Sequence, residues 1–120
     1  MAKMDRIAPE IPAVNLRASI EYYEQKLGFT AVMEMPSGDY AIVERDGVAI
    51  HLFQDSACAH SPVGVHIFTS QLDDLHAELL GRGALISQHI DEKPWGNRDF
   101  RVDDQTGNQI KFTEPIGDGA

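Results

Sequence analysis

At 120 residues with one cysteine, Cys58, the chain has room for a single domain, and it can build neither an intrachain disulfide nor a cysteine zinc cluster. A hydrophobic content of 42% with 24% charged residues is ordinary globular composition and indicates neither disorder nor a membrane span. The formal net charge of -9 argues against nucleic-acid binding, which needs clustered Lys and Arg, and would attract a cationic partner.

The opening Met1 to Arg6 lacks the apolar run of a secretory signal, so a cytoplasmic location is expected. Ile7 to Val14 reads as a strand, and Pro9 and Pro12 confine it to an edge or a crossover because they donate nothing to a ladder. Leu16, Ile20, Tyr23 and Leu27 then recur at helical spacing, with Asn15 as N-cap and Gly28 as stop. Strands are predicted at Thr30 to Met35, Tyr40 to Arg45 and Val48 to Gln54, the last two joined through the hairpin signal Asp46-Gly47.

After a loop from Asp55 to Pro62 the order returns: a strand at Gly64 to Ser70, a helix at Leu72 to Arg82 stopped by Gly83, and strands at Leu85 to Ile90, Arg98 to Val102 and Gln109 to Thr113. Leu16 matches Leu72, Gly28 matches Gly83, Gly47 matches Gly107 and Ile50 matches Ile110. The predicted fold is therefore α+β, two βαβββ modules spanning about residues 6–54 and 64–114 of one domain, 1–120. Their sheets would form a curved mixed surface with the helices on the outer face.

Strand parity assigns the faces. Val48, Ile50, Leu52, Val65, Ile67, Ile110 and Phe112 are continuous apolar faces that belong under helices. The opposite faces carry Ala49, His51 and Phe53, then Gly64, His66 and Phe68, then Gln109, Lys111 and Thr113. Two histidines and two phenylalanines on one side suit a ligand cleft with aromatic walls. Arg101 shares that side, and Glu10 lies on the first strand as a counter-charge for a cationic ligand. No Ser-His-Asp spacing, phosphate loop or dinucleotide fingerprint occurs, so no catalytic residue and no cofactor is assigned. His60, His76 and His89 read as surface residues.

This order of elements, with Leu27-Gly28-Phe29 after the first helix, Pro94-Trp95-Gly96 before a strand and Asp103-Asp104-Gln105-Thr106-Gly107-Asn108 near the end, resembles the glyoxalase, bleomycin resistance protein and extradiol dioxygenase superfamily, the vicinal oxygen chelate fold. Ala8-Pro9-Glu10-Ile11-Pro12-Ala13 and Pro94-Trp95-Gly96 look most like its bleomycin-binding proteins. The resemblance implies a homodimer with two clefts between subunits, the N-terminal strand exchanged near the proline that matches Pro9, and Trp95 either in the cleft or anchoring core or interface. Metalloenzymes of this superfamily place ligands at positions that fall on Ala8, His51, Gly64 and Lys111, of which only His51 binds a metal readily. A shifted set of Glu10, His51 and His66 is the alternative. The function this implies is sequestration of a small cationic aromatic molecule without turnover, with no metal held by the protein, no nucleic acid and no membrane partner. The competing readings are a divalent-metal lyase or isomerase and a ligand-free scaffold.

Overall fold

The structure, a computed structural model, describes residues 1–115; the end of the expected domain range, 116–120, lies outside the described residues. The elements are β1 (Glu10–Ala13), α1 (Leu16–Leu27), β2 (Thr30–Glu34), β3 (Tyr40–Arg45), β4 (Val48–Gln54), β5 (Gly64–Phe68), α2 (Leu72–Arg82), β6 (Leu85–Glu92), β7 (Arg98–Asp103) and β8 (Gln109–Glu114). The βαβββ order occurs twice, and each copy forms its own four-stranded mixed sheet, β1-β4-β3-β2 and β5-β8-β7-β6. Within each sheet the first strand runs parallel to the last, which the intervening helix makes possible as a crossover.

Local chemistry fixes the first helix. The Asn15 side chain accepts from the Ala18 amide at 3.1 Å, and Leu16, Ile20, Tyr23 and Leu27 are all buried. Gly28 adopts φ of 77°, and a Cβ there would lie 2.7 Å from Arg45 Nη1, so glycine supplies both the left-handed turn and the space. The first strand is shorter than predicted: its pairing begins with Glu10 opposite His51, and Ile7 is 94% exposed. Before Glu10 the chain has no partner strand, although the Pro9 carbonyl still accepts from the His51 amide at 3.0 Å. β1 is an edge strand, which is where Pro12 can stand. β6 in contrast runs on to Glu92, because Asp91 and Glu92 find Asp99 and Arg98 across the ladder.

Each helix covers one face of its sheet and leaves the other open. Ile50, Leu52, Ile110 and Phe112 lie buried on the helix side, as the alternation predicts, and join a single core with Leu72, Leu79, Phe100 and Val102. Among the described residues no backbone ladder links the two sheets. They are tied instead by the β7–β8 turn: the Asp104 carboxylate accepts from Tyr23 Oη at 2.8 Å and from the Thr106 and Asn108 amides and Asn108 Nδ2, each at 2.9 Å. Asn108 Nδ2 also donates to the Pro12 carbonyl at 2.8 Å, and the Val14 amide donates to Thr106 Oγ1 at 3.0 Å. Tyr22 Oη completes the joint, donating to the Asp103 carbonyl at 2.8 Å and accepting from the Leu85 amide at 2.9 Å.

A second tie is ionic. Arg45 donates to Glu78 through both Nη atoms, at 3.0 and 2.7 Å, and to the Leu27 carbonyl at 2.7 Å, while Arg82 Nε reaches Glu78 at 2.8 Å. Hydrogen bonding from Arg45, with Arg82 adding to it, holds the Glu78 carboxyl below its ordinary pKa. A carboxylate depressed in the folded state stabilises the fold above its unfolded value, about 4.3, and loses that contribution as the pH falls through the lower folded value. Urea melts of the wild type and Glu78→Gln should therefore differ at neutral pH and converge as the pH falls through the depressed folded value.

Candidate functional site

On the open side of the first sheet, register places Glu10 of β1, His51 of β4 and Ile42 of β3 in one row, with Pro12, Phe53 and Tyr40 in the next. Tyr40 is the residue that organises this face. Its hydroxyl lies 2.6 Å from Glu10 Oε2 and 2.8 Å from His51 Nδ1, and its ring meets the imidazole edge-on at 5.8 Å. Hydrogen bonding to Glu10 pushes the hydroxyl up to about 12, so it stays protonated at physiological pH. Phe53 meets His60 edge-on at 5.2 Å, which brings the Asp55 to Pro62 loop over this end of the sheet. The loop is folded back by Asp55, which accepts from the Ala59 and His60 amides at 2.9 Å each.

The second open face is cationic. His66 stands opposite Lys111, and Lys111 opposite Arg101, across adjacent strands. His66 stacks on Phe68 with ring centroids 6.1 Å apart and approaches Thr113 Oγ1 at 3.2 Å. Lys111 crosses over Gly64, where a Cβ would meet its Cε at 3.9 Å, and makes no ion pair among the described residues. Asp99, buried at 4% exposure, accepts from Gln88 Nε2 at 2.8 Å and lies 3.5 Å from both Lys93 Nζ and Arg101 Nε. Lys93 Nζ has Asp91 as a nearer carboxylate at 3.0 Å, whereas Arg101 Nε makes no hydrogen bond among the described residues.

The predicted residues fall into three places. Glu10, His51 and Phe53 share the first open face; His66, Phe68, Arg101 and Lys111 share the second. Trp95 belongs to neither: it is 64% exposed in the β6–β7 turn, so a core role is overturned and its ring is available to a ligand or a second chain. Phe68 borders a cavity of about 360 Å³, which lies between the modules against Leu27, Phe29, Val48 and Leu75, and His66 borders one of about 230 Å³ beside Ile7, Pro9 and Ala49. Tyr40, Lys93 and Asp99 went unpredicted, although extending the strand parity to β3 and β7 places Tyr40 and Asp99 on the open faces. His76 is more than a surface residue: Nε2 lies 2.8 Å from His89 Nδ1, and its ring packs edge-on against Phe100 at 5.1 Å.

Neither candidate ligand set presents a ready-made metal site among the described residues. Ala8 and Gly64 have no donor and Lys111 brings a positive charge, which leaves His51 alone in that set. In the shifted set Glu10 and His51 are both engaged by Tyr40 and His66 by Thr113. Among the described residues no three His, Cys, Asp or Glu side chains are grouped to hold an ion. Nor is any described helix long and apolar enough to cross a membrane.

The model of the Glyoxalase/Bleomycin resistance protein/Dioxygenase superfamily matches residues 3–112. The chain is 28% identical to a bleomycin resistance protein of Geobacillus stearothermophilus over 127 aligned positions, covering 90% of this chain and 95% of that one. Its structure superposes on the bleomycin-binding protein of Streptomyces verticillus complexed with copper(II)-bleomycin with a TM-score of 0.81 and 25% identity, covering 97% of this chain and all (100%) of that one. It superposes as well, at TM-score 0.76 and 15% identity over 95% of this chain and 96% of the other, on a lactoylglutathione lyase from Agrobacterium tumefaciens, a likeness of fold alone. Doubled βαβββ topology and a family model spanning almost the whole chain lead to one assignment: this protein belongs to the glyoxalase/bleomycin resistance protein/dioxygenase superfamily.

Proposed function

We propose that the protein is a cytoplasmic homodimer that binds and sequesters a small aromatic, cationic molecule of the bleomycin type without transforming it. The observation that carries this reading is the face of the first sheet turned away from α1, where Glu10, Tyr40, His51 and Phe53 lie together. An aromatic wall with a carboxylate beside it suits a flat cation, and the net charge of -9 assists its approach. The bleomycin resistance protein of G. stearothermophilus and the bleomycin-binding protein of S. verticillus support the same ligand class. A second copy is supported by the N-terminal arm, where Met4 and Ile7 are 99% and 94% exposed.

Light scattering at micromolar concentration should give the dimer mass. Calorimetric titration with metal-free and copper-loaded bleomycin should give saturable heat, and Phe53→Ala should weaken binding about twofold to thirtyfold, the range of one stacking or cation-π contact. A monomer mass removes the shared cleft. Heat from an aromatic anion instead, lost in Lys111→Ala, would move the site to the second sheet, where Lys93, Arg101 and Lys111 outnumber the one buried carboxylate.

A further inference from the structure

The hydrogen-bond chain Glu10–Tyr40–His51 contains a proton count that fixes how its free end behaves. A carboxylate only accepts, and the Tyr40 hydroxyl has one proton to give. With that proton on Glu10 at 2.6 Å, the 2.8 Å contact between the hydroxyl oxygen and His51 Nδ1 must be donated by the imidazole. A neutral imidazole carries one N–H, so Nε2 is left with a lone pair. Among the described residues Nε2 has no hydrogen-bond partner, and its ring stands on the uncovered face between Glu10 and Ile42 across the ladder.

We propose that Tyr40 and Glu10 lock His51 in its Nδ1–H tautomer, so that Nε2 is presented to the open face as an acceptor that selects ligands bearing an N–H donor. Tyr40 is here a positioning residue that acts through His51. The inference rests on the ligand-binding reading of this face and sharpens it. Two acceptors, the His51 lone pair and the Glu10 carboxylate, line one row of the first sheet, so an amidinium or ammonium group can satisfy both. A carboxylate or phosphate meets repulsion from both and has to go to the lysines and arginine of the second sheet. Charge selection is thus divided between the two faces, and on the first it is set by a tautomer as well as by a formal charge.

The test follows the histidine nitrogens directly. In protein labelled with nitrogen-15 at its five histidines, at about pH 8 where an ordinary imidazole is neutral, long-range proton–nitrogen spectra distinguish the two tautomers. His51→Gln assigns the resonances. The expected result is a protonated Nδ1 and an unprotonated Nε2 for His51, reverting to a mixture of tautomers in Tyr40→Phe. A predominantly Nε2–H ring in the wild type, or no change in Tyr40→Phe, overturns the lock.

Benzamidine and benzoate, alike in size and opposite in charge, then probe the ligand class. Benzamidine should shift the His51 Nε2 resonance saturably, and benzoate should leave it unmoved; a response to benzoate, or to neither, overturns the donor selection. Bleomycin is absent from these arms. A failed bleomycin titration beside a responding Nε2 therefore sinks the sequestration reading alone, and binding of bleomycin beside the wrong tautomer sinks this inference alone.

Discussion

Replacing Asp104 by alanine should destabilise the fold by about 3 to 5 kcal/mol, more than any surface change in this chain. The carboxylate is 4% exposed and accepts four hydrogen bonds, from Tyr23 Oη, two backbone amides and Asn108 Nδ2. Its removal leaves the Tyr23 hydroxyl and the Asn108 amide buried without their acceptor, and an unsatisfied buried donor costs about 1–3 kcal/mol by itself. Burial, with the Asp104 charge and hydrogen bond adding to it, raises the Tyr23 pKa well above its ordinary value, so no compensating ionisation occurs near neutrality. Urea denaturation followed by circular dichroism measures the loss. Asp104→Asn, which keeps an acceptor oxygen, should cost about half as much. A cost under about 1 kcal/mol for alanine would mean that the turn does not hold the modules together.

Phe100→Ala should cost about 3–5 kcal/mol through lost burial and the cavity it leaves. The ring is fully buried at 0% exposure, stacks on Phe112 with centroids 5.0 Å apart and an interplanar angle of 23°, and takes the edge of His76. Because His76 is held between Phe100 and His89, the His76–His89 contact at 2.8 Å should loosen as well. Thermal melts give the stability change, and proton–nitrogen spectra of the two histidines report the loosening. Phe100→Leu, which refills most of the space, should recover over half of the loss. If the alanine and leucine variants melt together, the cavity account is wrong.

The architecture was largely legible because both of its signals are local. Helical stripes such as Leu16, Ile20, Tyr23 and Leu27, and glycines at enforced left-handed positions such as Gly28, declare themselves within a short window. Two-residue alternation named the buried side of β4 and β8 correctly, since Ile50 and Leu52 cannot exchange faces with His51 and Phe53 without a register slip. The site was legible only in halves. That Glu10, Tyr40 and His51 come together depends on two pairings: the β3–β4 hairpin, which Asp46-Gly47 announces locally, and the parallel pairing of β1 with β4, which sets Glu10 opposite His51 and which no local pattern states. Asp99 was missed for a different reason: an acidic residue in an alternating strand reads as solvated, and only Gln88, Lys93 and Arg101 gathering around it make its burial tolerable. The Asp103 to Asn108 segment, which carries much of the family resemblance, turns out to serve cohesion, because its side chains bind Tyr23, Pro12 and Val14 of the other half.

The absence of any ladder between the sheets has an evolutionary consequence. When two halves descend as repeats and meet only through side chains and one turn, a change on the exposed row of one half alters no hydrogen-bond register in the other. The two copies can then diverge in ligand chemistry at separate rates, one keeping acid and aromatic groups around Tyr40, the other accumulating Lys93, Arg101 and Lys111. A scaffold built this way changes specificity by mutating one half at a time, with the joint at Asp104 and Asn108 as the part least free to vary.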